Sequence, residues 1–304
     1  MAYALVIHGG AGARPGSDYT KQKQHMQQLI KTGQDMLVAG KSALDVVVSI
    51  VEELEGSGLY VAGKGSAPHS LGGFELDASI MSGPTRSAGA VAAIEGIKSP
   101  IQAAKAVLDD GRHVMMAGIG ARLFAQAAGI SEVDDPNEYY SEHVSHGSAE
   151  SLDHGTVGAV ALDIHGSLAA GTSTGGTFNK LIGRIGDTPI IGSGTWADDT
   201  VAVSCTGLGE AFIRTTAAYD VSARMRYAGT PLYQAGRQVL DEVKKCDGDG
   251  DGDGDGDGDG DGDGGLIAID AQGNIAMPYN SNGMKRAAVS STMAPIVRVF
   301  EPEP

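Results

Sequence analysis

Thr156 directly follows a glycine where a polar stretch of the chain becomes apolar, in DHGTVGAVALD at residues 153–163. A threonine hydroxyl is a weak nucleophile and needs a nearby base. Cleavage of the Gly155–Thr156 bond would free an α-amino group on the same residue, with a usual pKa of about 7.7–8.0. Gly155 favours such a cut because it tolerates strained backbone and leaves its carbonyl unhindered. The residues therefore indicate self-cleavage before Thr156, although a threonine that merely begins a strand also explains them.

Two charged residues follow in GTSTGGTFNKLIGRIGD at residues 171–187. Arg184 can bind a carboxylate through two parallel hydrogen bonds, and Asp187 can bind an ammonium group. Together they could hold both charged groups of an amino acid, unless they form only a surface ion pair. Further on, VAVSCTGLGEAFIR is typical of a strand, a glycine turn and a helix. Thr206 and the amides near Gly207 could therefore donate hydrogen bonds to an oxyanion.

Apolar periodicity predicts the elements that must position these residues. Two segments share one pattern, VALDIHGSLAA at 160–170 and IAIDAQGNIAM at 267–277, and each predicts strand, turn, strand. Further strands are predicted at 3–7, 59–66, 74–81, 88–96 and 156–163. Helices are predicted at 19–39, from a Ser42 cap to Glu55, and at 101–110, 115–128, 209–225 and 231–245. Hairpins covered by helices indicate layered helices and sheets with antiparallel strands.

Two segments carry no such pattern. Residues 131–153 are polar and charged, which predicts a mobile linker. Residues 247–264 are nine Asp-Gly dipeptides, which favour a solvated spacer over a calcium site, because an EF-hand needs an apolar residue and a glutamate that the run lacks. Three histidines in and beside the linker are expected to be solvated rather than to bind a metal: His143, His146 and His154.

Composition and charge indicate which kinds of partner and which cellular compartment to expect. The chain has 304 residues and a net charge of -16, of which nine charges belong to the Asp-Gly run. No basic stripe is visible, so neither nucleic acid nor an anionic membrane is an expected partner. Two cysteines, Cys205 and Cys246, and an opening MAYALVIHGG without a basic segment favour the cytoplasm. The turn GLGEAF could suggest a nucleotide-binding module, but Phe212 stands where a third small residue belongs.

The ordered motifs resemble the plant-type L-asparaginase and isoaspartyl peptidase family of N-terminal-nucleophile hydrolases. The resemblance spans nearly the whole chain and rests on HGGAG at 8–12, AGKGS, ELDASIM, HGTVGAVALD, STGG, GRIGD, SCTGLGE and GGLIAID. It implies an α+β fold, an αββα four-layer sandwich, made as a precursor. Self-cleavage would leave an α subunit of residues 1–155 and a β subunit of residues 156–304 within one folded domain. Two such pairs would assemble into a dimer of heterodimers.

The resemblance also implies a role for each matching residue. Thr156 would be the nucleophile and Thr174 would orient it. Arg184 would bind the substrate α-carboxylate and Asp187 its α-ammonium. The remaining site residues would be Thr206 and Gly207 for the oxyanion and Gly209 in the substrate pocket. Catalysis would need no cofactor, but a structural sodium ion could be held by the backbone carbonyls of Leu54, Glu55, Ser57, Tyr60, Ala62 and Lys64.

The implied reaction is hydrolysis of β-aspartyl dipeptides, with L-asparagine as a secondary substrate. The chain departs from the family pattern at Val61, where many relatives have asparagine, and in the Asp-Gly run, which replaces a short glycine-rich connection. Two alternatives remain open. One is a glycosylasparaginase-like amidase, which the missing secretion signal and cysteines disfavour. The other is an uncleaved acidic protein that binds calcium through its repeat.

Overall fold

The computed structural model describes residues 2–140, 155–246 and 264–301, which form an α+β fold. The helices are α1 (Thr20–Val38), α2 (Ala43–Gly56), α3 (Pro100–Asp110), α4 (Gly118–Ala127), α5 (Pro136–Tyr139), α6 (Gly209–Thr215), α7 (Ala217–Ala228) and α8 (Leu232–Lys245). The strands are β1 (Ala4–Ala11), β2 (Leu76–Ser82), β3 (Ala88–Ile94), β4 (Met115–Ala117), β5 (Val157–Leu162), β6 (Leu168–Thr174), β7 (Thr195–Ala197), β8 (Val201–Gly207), β9 (Gly264–Asp270), β10 (Ile275–Ala276), β11 (Met284–Ser290) and β12 (Met293–Arg298).

The strands form two sheets. The larger has the order β12-β11-β1-β5-β6-β2-β3-β4, and all its neighbours are antiparallel except β3 and β4. The smaller has the order β10-β9-β8-β7 and is antiparallel throughout. Strand β5 therefore lies near the middle of the larger sheet, between β1 and β6.

Alternate residues of β1 belong to two different cores. Leu5 and Ile7 pack with buried residues of α1, α2 and α3. Ala4 and Val6, on the opposite face, pack with residues of the smaller sheet such as Ile267. Because neighbouring side chains of a strand point to opposite faces, the larger sheet is covered by helices on one side and by the smaller sheet on the other.

A third core lies on the far side of the smaller sheet. Val203 and Cys205 of β8 pack there with Phe212, Val221 and Val239 from the three helices α6, α7 and α8. The smaller sheet is thus also buried on both faces, which accounts for its nearly continuous apolar sequence.

Several predicted elements are confirmed. Ser42 caps α2, and its hydroxyl accepts a hydrogen bond from the backbone N–H of Asp45 at 3.1 Å. Both predicted hairpins form: β5 pairs with β6, and β9 pairs with β10. The tight turns in both hairpins use a glycine with positive φ, Gly166 and Gly273, as the Asp-x-x-Gly pattern predicts.

Three predicted elements are wrong in part. Residues 59–66 form no strand but an irregular loop with a 3-10 turn at Gly63–Gly65, because the backbone of Gly63 lies against Glu55. The helix predicted at 115–128 begins as a strand, since Met115–Ala117 pair with β3. The helix predicted at 209–225 is broken at Thr216, which adopts a left-handed φ of 51°.

The predicted mobile linker at 131–153 is ordered over its first ten residues. Glu132 forms a β-bridge with Ile97, and the ring of Tyr140 stacks on Phe74 with centroids 4.2 Å apart. The rest of that segment, including His143 and His146, lies outside the described residues, as do His154 and residues 247–263 of the Asp-Gly run. Within the described ranges, no helix is both long and apolar enough to cross a membrane.

Helix α3 packs on β3 at Gly89. A Cβ added there would lie 2.1 Å from the carbonyl oxygen of Ala104 and 2.5 Å from the backbone nitrogen of Leu108. We expect Gly89→Ala to lower the free energy of unfolding by about 1–3 kcal/mol through overpacking. Gly120→Ala is the control, because open space surrounds Gly120 in α4 and alanine favours helix there. Urea unfolding measures both, and equal effects would contradict the close contact at Gly89.

Candidate active site

Thr156 lies at the start of the central strand β5, beside the end of β6. Its side chain is buried, and its hydroxyl donates a hydrogen bond to the hydroxyl oxygen of Thr174 at 3.2 Å. The Thr174 oxygen also accepts from the backbone N–H of Gly176 at 3.1 Å. The pairing of Val157 with Ser173 fixes this geometry, because it sets the two threonines side by side on adjacent strands.

A small pocket surrounds the Thr156 hydroxyl. It brings together seven of the residues singled out in the sequence: Gly155, Thr156, Thr174, Arg184, Asp187, Gly207 and Gly209. Four further lining residues were not predicted: Gly176, Thr177, Gly186 and Thr188. A hydroxyl group, a cationic side chain and an acidic side chain therefore face one small space.

Thr206 does not line this pocket among the described residues. It is fully buried, and its hydroxyl oxygen accepts a hydrogen bond from the backbone N–H of Ala11 at 3.2 Å. That contact leaves the hydroxyl hydrogen for another acceptor. The next residue, Gly207, lines the pocket with a φ of 147°, a conformation that favours glycine. The turn from β8 into α6 thus faces the site mainly through backbone.

Asp187 is an acidic group in a buried position. Burial raises the pKa of its carboxyl to about 7, and the positive charge of Arg184 opposes this rise. Its Oδ2 atom has no hydrogen-bond partner among the described residues. Gly209 permits this position, because a Cβ added there would lie 3.0 Å from Oδ1 of Asp187. A cation that entered the pocket would find an unsatisfied carboxylate oxygen.

Arg184 is held by an acidic residue of α6. Its Nε and Nη2 atoms donate to the two carboxylate oxygens of Glu210 at 2.8 and 2.7 Å. Burial acts to lower the pKa of Arg184, but the hydrogen bonds and charge of Glu210 outweigh it and raise the pKa. The guanidinium is therefore a permanent positive charge with a fixed orientation.

A buried ion pair supports the backbone beside Arg184. Lys180 Nζ lies 3.6 Å from Glu75 Oε2, and both side chains are almost completely buried. The ammonium also donates to the carbonyl oxygens of Glu75 and Arg184 at 3.1 and 3.3 Å. The Glu75 carboxylate in turn accepts from the backbone N–H of Gly183 at 2.9 Å. Strand β2 and the loop that carries Arg184 are thus joined through two charges.

Behind Thr156, a chain of polar side chains runs between the two sheets. His8 Nε2 is hydrogen-bonded to the Ser204 hydroxyl at 2.9 Å. The chain continues through three further hydroxyl groups: Thr172, Thr195 and Ser79. Burial lowers the pKa of His8 to about 3 against an opposing interaction with the backbone of Thr156, so the ring is neutral near pH 7.

With this geometry established, comparison with known proteins identifies the family. The asparaginase family model matches residues 1–147 and 138–298. An isoaspartyl peptidase of Salmonella typhimurium is 43% identical over 306 residues, which cover 93% of this chain and 94% of the relative. The chain belongs to the plant-type L-asparaginase and isoaspartyl peptidase family. This is a hydrolase family, so the protein is an enzyme of that class.

Two further relatives show how widely the similarity extends. An isoaspartyl peptidase of Escherichia coli is 43% identical over 308 residues, covering 93% of this chain and 91% of the relative. A plant-type L-asparaginase of Pyrobaculum calidifontis is 37% identical over 300 residues, covering 93% of this chain and 95% of the relative. The family predicted from the motifs is therefore confirmed along nearly the full chain.

Val61, the position that departs from the family pattern, touches the residue before Thr156. A Cβ added at Gly155 would lie 2.7 Å from the backbone nitrogen of Val61 and 2.5 Å from its side chain. Val61 also accepts a hydrogen bond from Gly175 through its carbonyl oxygen at 2.8 Å. The valine thus contributes apolar contact where an asparagine would offer a hydrogen bond to the site.

The loop predicted to hold sodium closes on itself. A Cβ added at Gly63 would lie 2.5 Å from the carbonyl oxygen of Glu55, at the end of α2. The carbonyl oxygens of Leu54, Tyr60 and Ala62 accept hydrogen bonds from the Ser57 hydroxyl and from the backbone N–H groups of Ala62 and Gly65, respectively. Because a carbonyl oxygen has a second lone pair, these residues are compatible with a cation bound by backbone oxygens. The described residues contain no group of three or more His, Cys, Asp or Glu side chains that could hold a metal.

One motif in the chain matches a serine hydrolase pattern by coincidence. GTSTG at residues 171–175 fits G-x-S-x-G, whose serine stands on a sharp turn from a strand into a helix. Ser173 instead lies inside strand β6 and is fully buried. It therefore cannot present its hydroxyl as that motif requires, and Thr156 remains the candidate nucleophile.

Sequence reasoning missed the charged residues that support the site. Glu75 and Glu210 lie inside the quoted motifs ELDASIM and SCTGLGE, and Lys180 lies between STGG and GRIGD. A charged residue next to an apolar strand is a signal for a buried ion pair, since such a charge needs a partner. The identity of that partner depends on tertiary contacts that no local pattern encodes.

The polar chain behind Thr156 predicts a stability effect. Ser204→Ala would remove the partner of His8 Nε2 and leave a buried nitrogen unsatisfied. We expect the free energy of unfolding to fall by about 1–3 kcal/mol. Ser87→Ala, at an exposed turn, is the control and should change it by less than about 0.5 kcal/mol. If the Ser204→Ala protein is as stable as that control in urea unfolding, the hydrogen bond between Ser204 and His8 adds no stability.

Proposed function

We propose that this protein is a self-cleaving threonine amidohydrolase that hydrolyses β-aspartyl dipeptides and, as a secondary activity, L-asparagine. The observation that carries the proposal is the pocket in which Thr156, Arg184 and Asp187 meet. A nucleophile, a carboxylate-binding cation and an ammonium-binding anion are the three groups needed to act on a β-aspartyl unit. The relatives named isoaspartyl peptidase support this choice of substrate.

Activation would begin with an attack inside the chain. The Thr156 hydroxyl oxygen adds to the carbonyl carbon of Gly155, the C–N bond breaks, and an ester joins the two segments. Breakage of the C–N bond frees the α-amino group of Thr156, which takes up the proton from the hydroxyl. Water then hydrolyses the ester, which leaves a carboxylate on Gly155 and restores the hydroxyl. The tight contact of Gly155 with Val61 supports this step, because it fixes the backbone next to the bond that breaks.

Turnover would use the same hydroxyl on a substrate carbonyl. The free α-amino group of Thr156 accepts the hydroxyl proton as the oxygen attacks the side-chain carbonyl of the β-aspartyl unit. That proton passes to the departing amine, and a β-aspartyl ester remains on Thr156. The α-amino group of Thr156 then activates a water molecule, which hydrolyses the ester and releases L-aspartate. Thr174 would orient the hydroxyl, and Thr206 with the Gly207 amide would stabilise the oxyanion.

Substrate selection would rest on the two charged residues of the pocket. Arg184 would bind the α-carboxylate and Asp187 the α-ammonium of the aspartyl unit, with Gly209 leaving room between them. In a β-aspartyl dipeptide both groups are free, whereas in an ordinary α-linked peptide the carboxylate is blocked. This difference accounts for a preference for isoaspartyl over normal peptide bonds.

Larger-scale features belong to the same proposal. The three cores support an αββα four-layer sandwich of the N-terminal-nucleophile type, cut into residues 1–155 and 156–304. We propose that two such pairs assemble, that the protein acts in the cytoplasm, and that a sodium ion stabilises the loop at 54–64. The free thiols of Cys205 and Cys246 are consistent with a reducing compartment. The sodium would have no part in catalysis.

The central test is the intact mass of Thr156→Ala beside that of the native chain. We expect two fragments from the native protein, one beginning Thr156-Val157-Gly158, and one uncut chain without hydrolysis of a β-aspartyl dipeptide from the variant. Thr32→Ala, at an exposed position of α1, should be cut and active like the native protein. Normal turnover by Thr156→Ala would remove Thr156 from the mechanism.

The raised pKa of Asp187 predicts a pH effect on ligand binding. With a pKa of about 7, the carboxyl is increasingly protonated below pH 7 and loses its attraction for an ammonium group. The dissociation constant of L-aspartate, measured by calorimetry on the cut protein, should therefore rise about tenfold from pH 8 to pH 6. Asp187→Asn should bind weakly at both pH values and lose most of this dependence. A constant affinity in the native protein would contradict the assignment.

A further inference from the structure

The guanidinium of Arg184 has two edges that can each bind a carboxylate. Glu210 occupies the edge formed by Nε and Nη2. The other edge is formed by Nη1 and Nη2, and no described residue accepts a hydrogen bond from Nη1. A Cβ added at Gly186 would lie 3.0 Å from Nη1, so this atom lies against a residue that lines the pocket. The unoccupied edge therefore lies against the lining of the pocket that also contains Thr156.

Two sets of contacts fix Arg184 at opposite ends. Lys180 and Glu75 bind the backbone on either side of the Gly183–Arg184 peptide bond. They leave the side chain free to rotate about its own bonds, and among the described residues only Glu210 holds its far end through hydrogen bonds. An arginine side chain without such a partner loses rotamer freedom each time it is ordered, which weakens the binding that orders it.

Glu210 connects two parts of the pocket lining, the turn before α6 and the loop that carries Arg184. It is the second residue of α6, directly after Gly209, and the turn before it contributes Gly207 to the lining. The ion pair with Arg184 therefore joins the carboxylate-binding loop to the turn that faces the oxyanion. Half of the Glu210 side chain remains exposed, so it is not simply a core residue.

We propose that Glu210 is a positioning residue for substrate recognition, which holds the Nε–Nη2 edge of Arg184 so that its Nη1–Nη2 edge meets the substrate α-carboxylate. This inference rests on the proposed function of the pocket. Glu210 itself does not touch the substrate. Its contribution is to order the guanidinium before binding, so that the substrate does not bear that entropic penalty.

A competing role for Glu210 makes the opposite prediction. Its carboxylate could occupy Arg184 in place of the substrate and have to be displaced before binding. Removal of its charge would then tighten binding instead of weakening it. The direction of change in KM therefore separates positioning from competition.

The test compares Glu210→Gln with the native protein on one β-aspartyl dipeptide. We expect KM to rise about tenfold, the effect of losing one charge-assisted hydrogen bond, while kcat changes less than about twofold. The inhibition constant of the product L-aspartate should rise by a similar factor. That of the α-amide of L-aspartic acid, which lacks the α-carboxylate, should stay unchanged.

A matched control removes a similar ion pair far from the pocket lining. Asp220 of α7 accepts from Arg224 Nε at 2.8 Å, and both side chains are partly exposed. Asp220→Asn should leave KM and kcat within about twofold of native values.

Two further variants test the role of the Glu210 charge itself. Glu210→Asp keeps the charge on a shorter side chain and should raise KM less than Glu210→Gln does. In an Arg184→Lys background, Glu210→Gln should have no further effect, because the bidentate contact is already lost.

An unchanged or lowered KM in a correctly cut Glu210→Gln protein would overturn the inference, as would equal loss of affinity for L-aspartate and its α-amide. Intact mass and thermal midpoint establish that the variant is folded and cut. If the native protein fails to hydrolyse any β-aspartyl dipeptide, the proposed function fails separately. Calorimetry with L-aspartate would then still decide whether Glu210 positions Arg184.

Discussion

The close approach of the two sheets at Gly158 is the constraint on which the geometry around Thr156 depends. A Cβ added there would lie 2.0 Å from the Ser204 hydroxyl and 2.4 Å from His8 Nε2. Only glycine lets β5 pass so near to β8 while it pairs with β1 on one side and β6 on the other. Those pairings set Thr156 beside Thr174 and orient both toward the pocket.

Charge is buried around this site in two different ways. Lys180 and Glu75 neutralise each other and hold backbone groups, so their charges are satisfied within the protein. Removing one partner of such a pair typically lowers stability by about 3–5 kcal/mol, because the other remains buried and unpaired. Asp187 instead keeps an unsatisfied oxygen and a raised pKa, which an arriving ammonium group would correct. The ion pair thus supports the fold, whereas Asp187 has a carboxylate oxygen that no described residue satisfies.

Local patterns in the sequence predict most elements and part of the pocket, whereas Thr174 and Gly209 are expected only from the family resemblance. The hairpins, the Ser42 cap and the positions of Thr156, Arg184 and Asp187 follow from periodicity, turn chemistry and charge. The errors arise where distant contacts decide local structure. Residues 59–66 look like a strand, but their glycines fold the chain back onto α2, and the short strand β4 exists because β3 offers it a partner. The Glu210 contact with Arg184 spans 26 positions and could not be read locally.

The order of strands in the larger sheet has a kinetic consequence. Strand β1, from before Gly155, lies between β11 and β5 from after it, and β2 pairs with β6 in the same manner. If the bond before Thr156 is broken as proposed, the two polypeptides can separate only when the central pairings of the sheet open. Refolding of the mature protein would then require an encounter between two chains, with a rate that depends on concentration. The proposed precursor would form these pairings while it is still a single molecule.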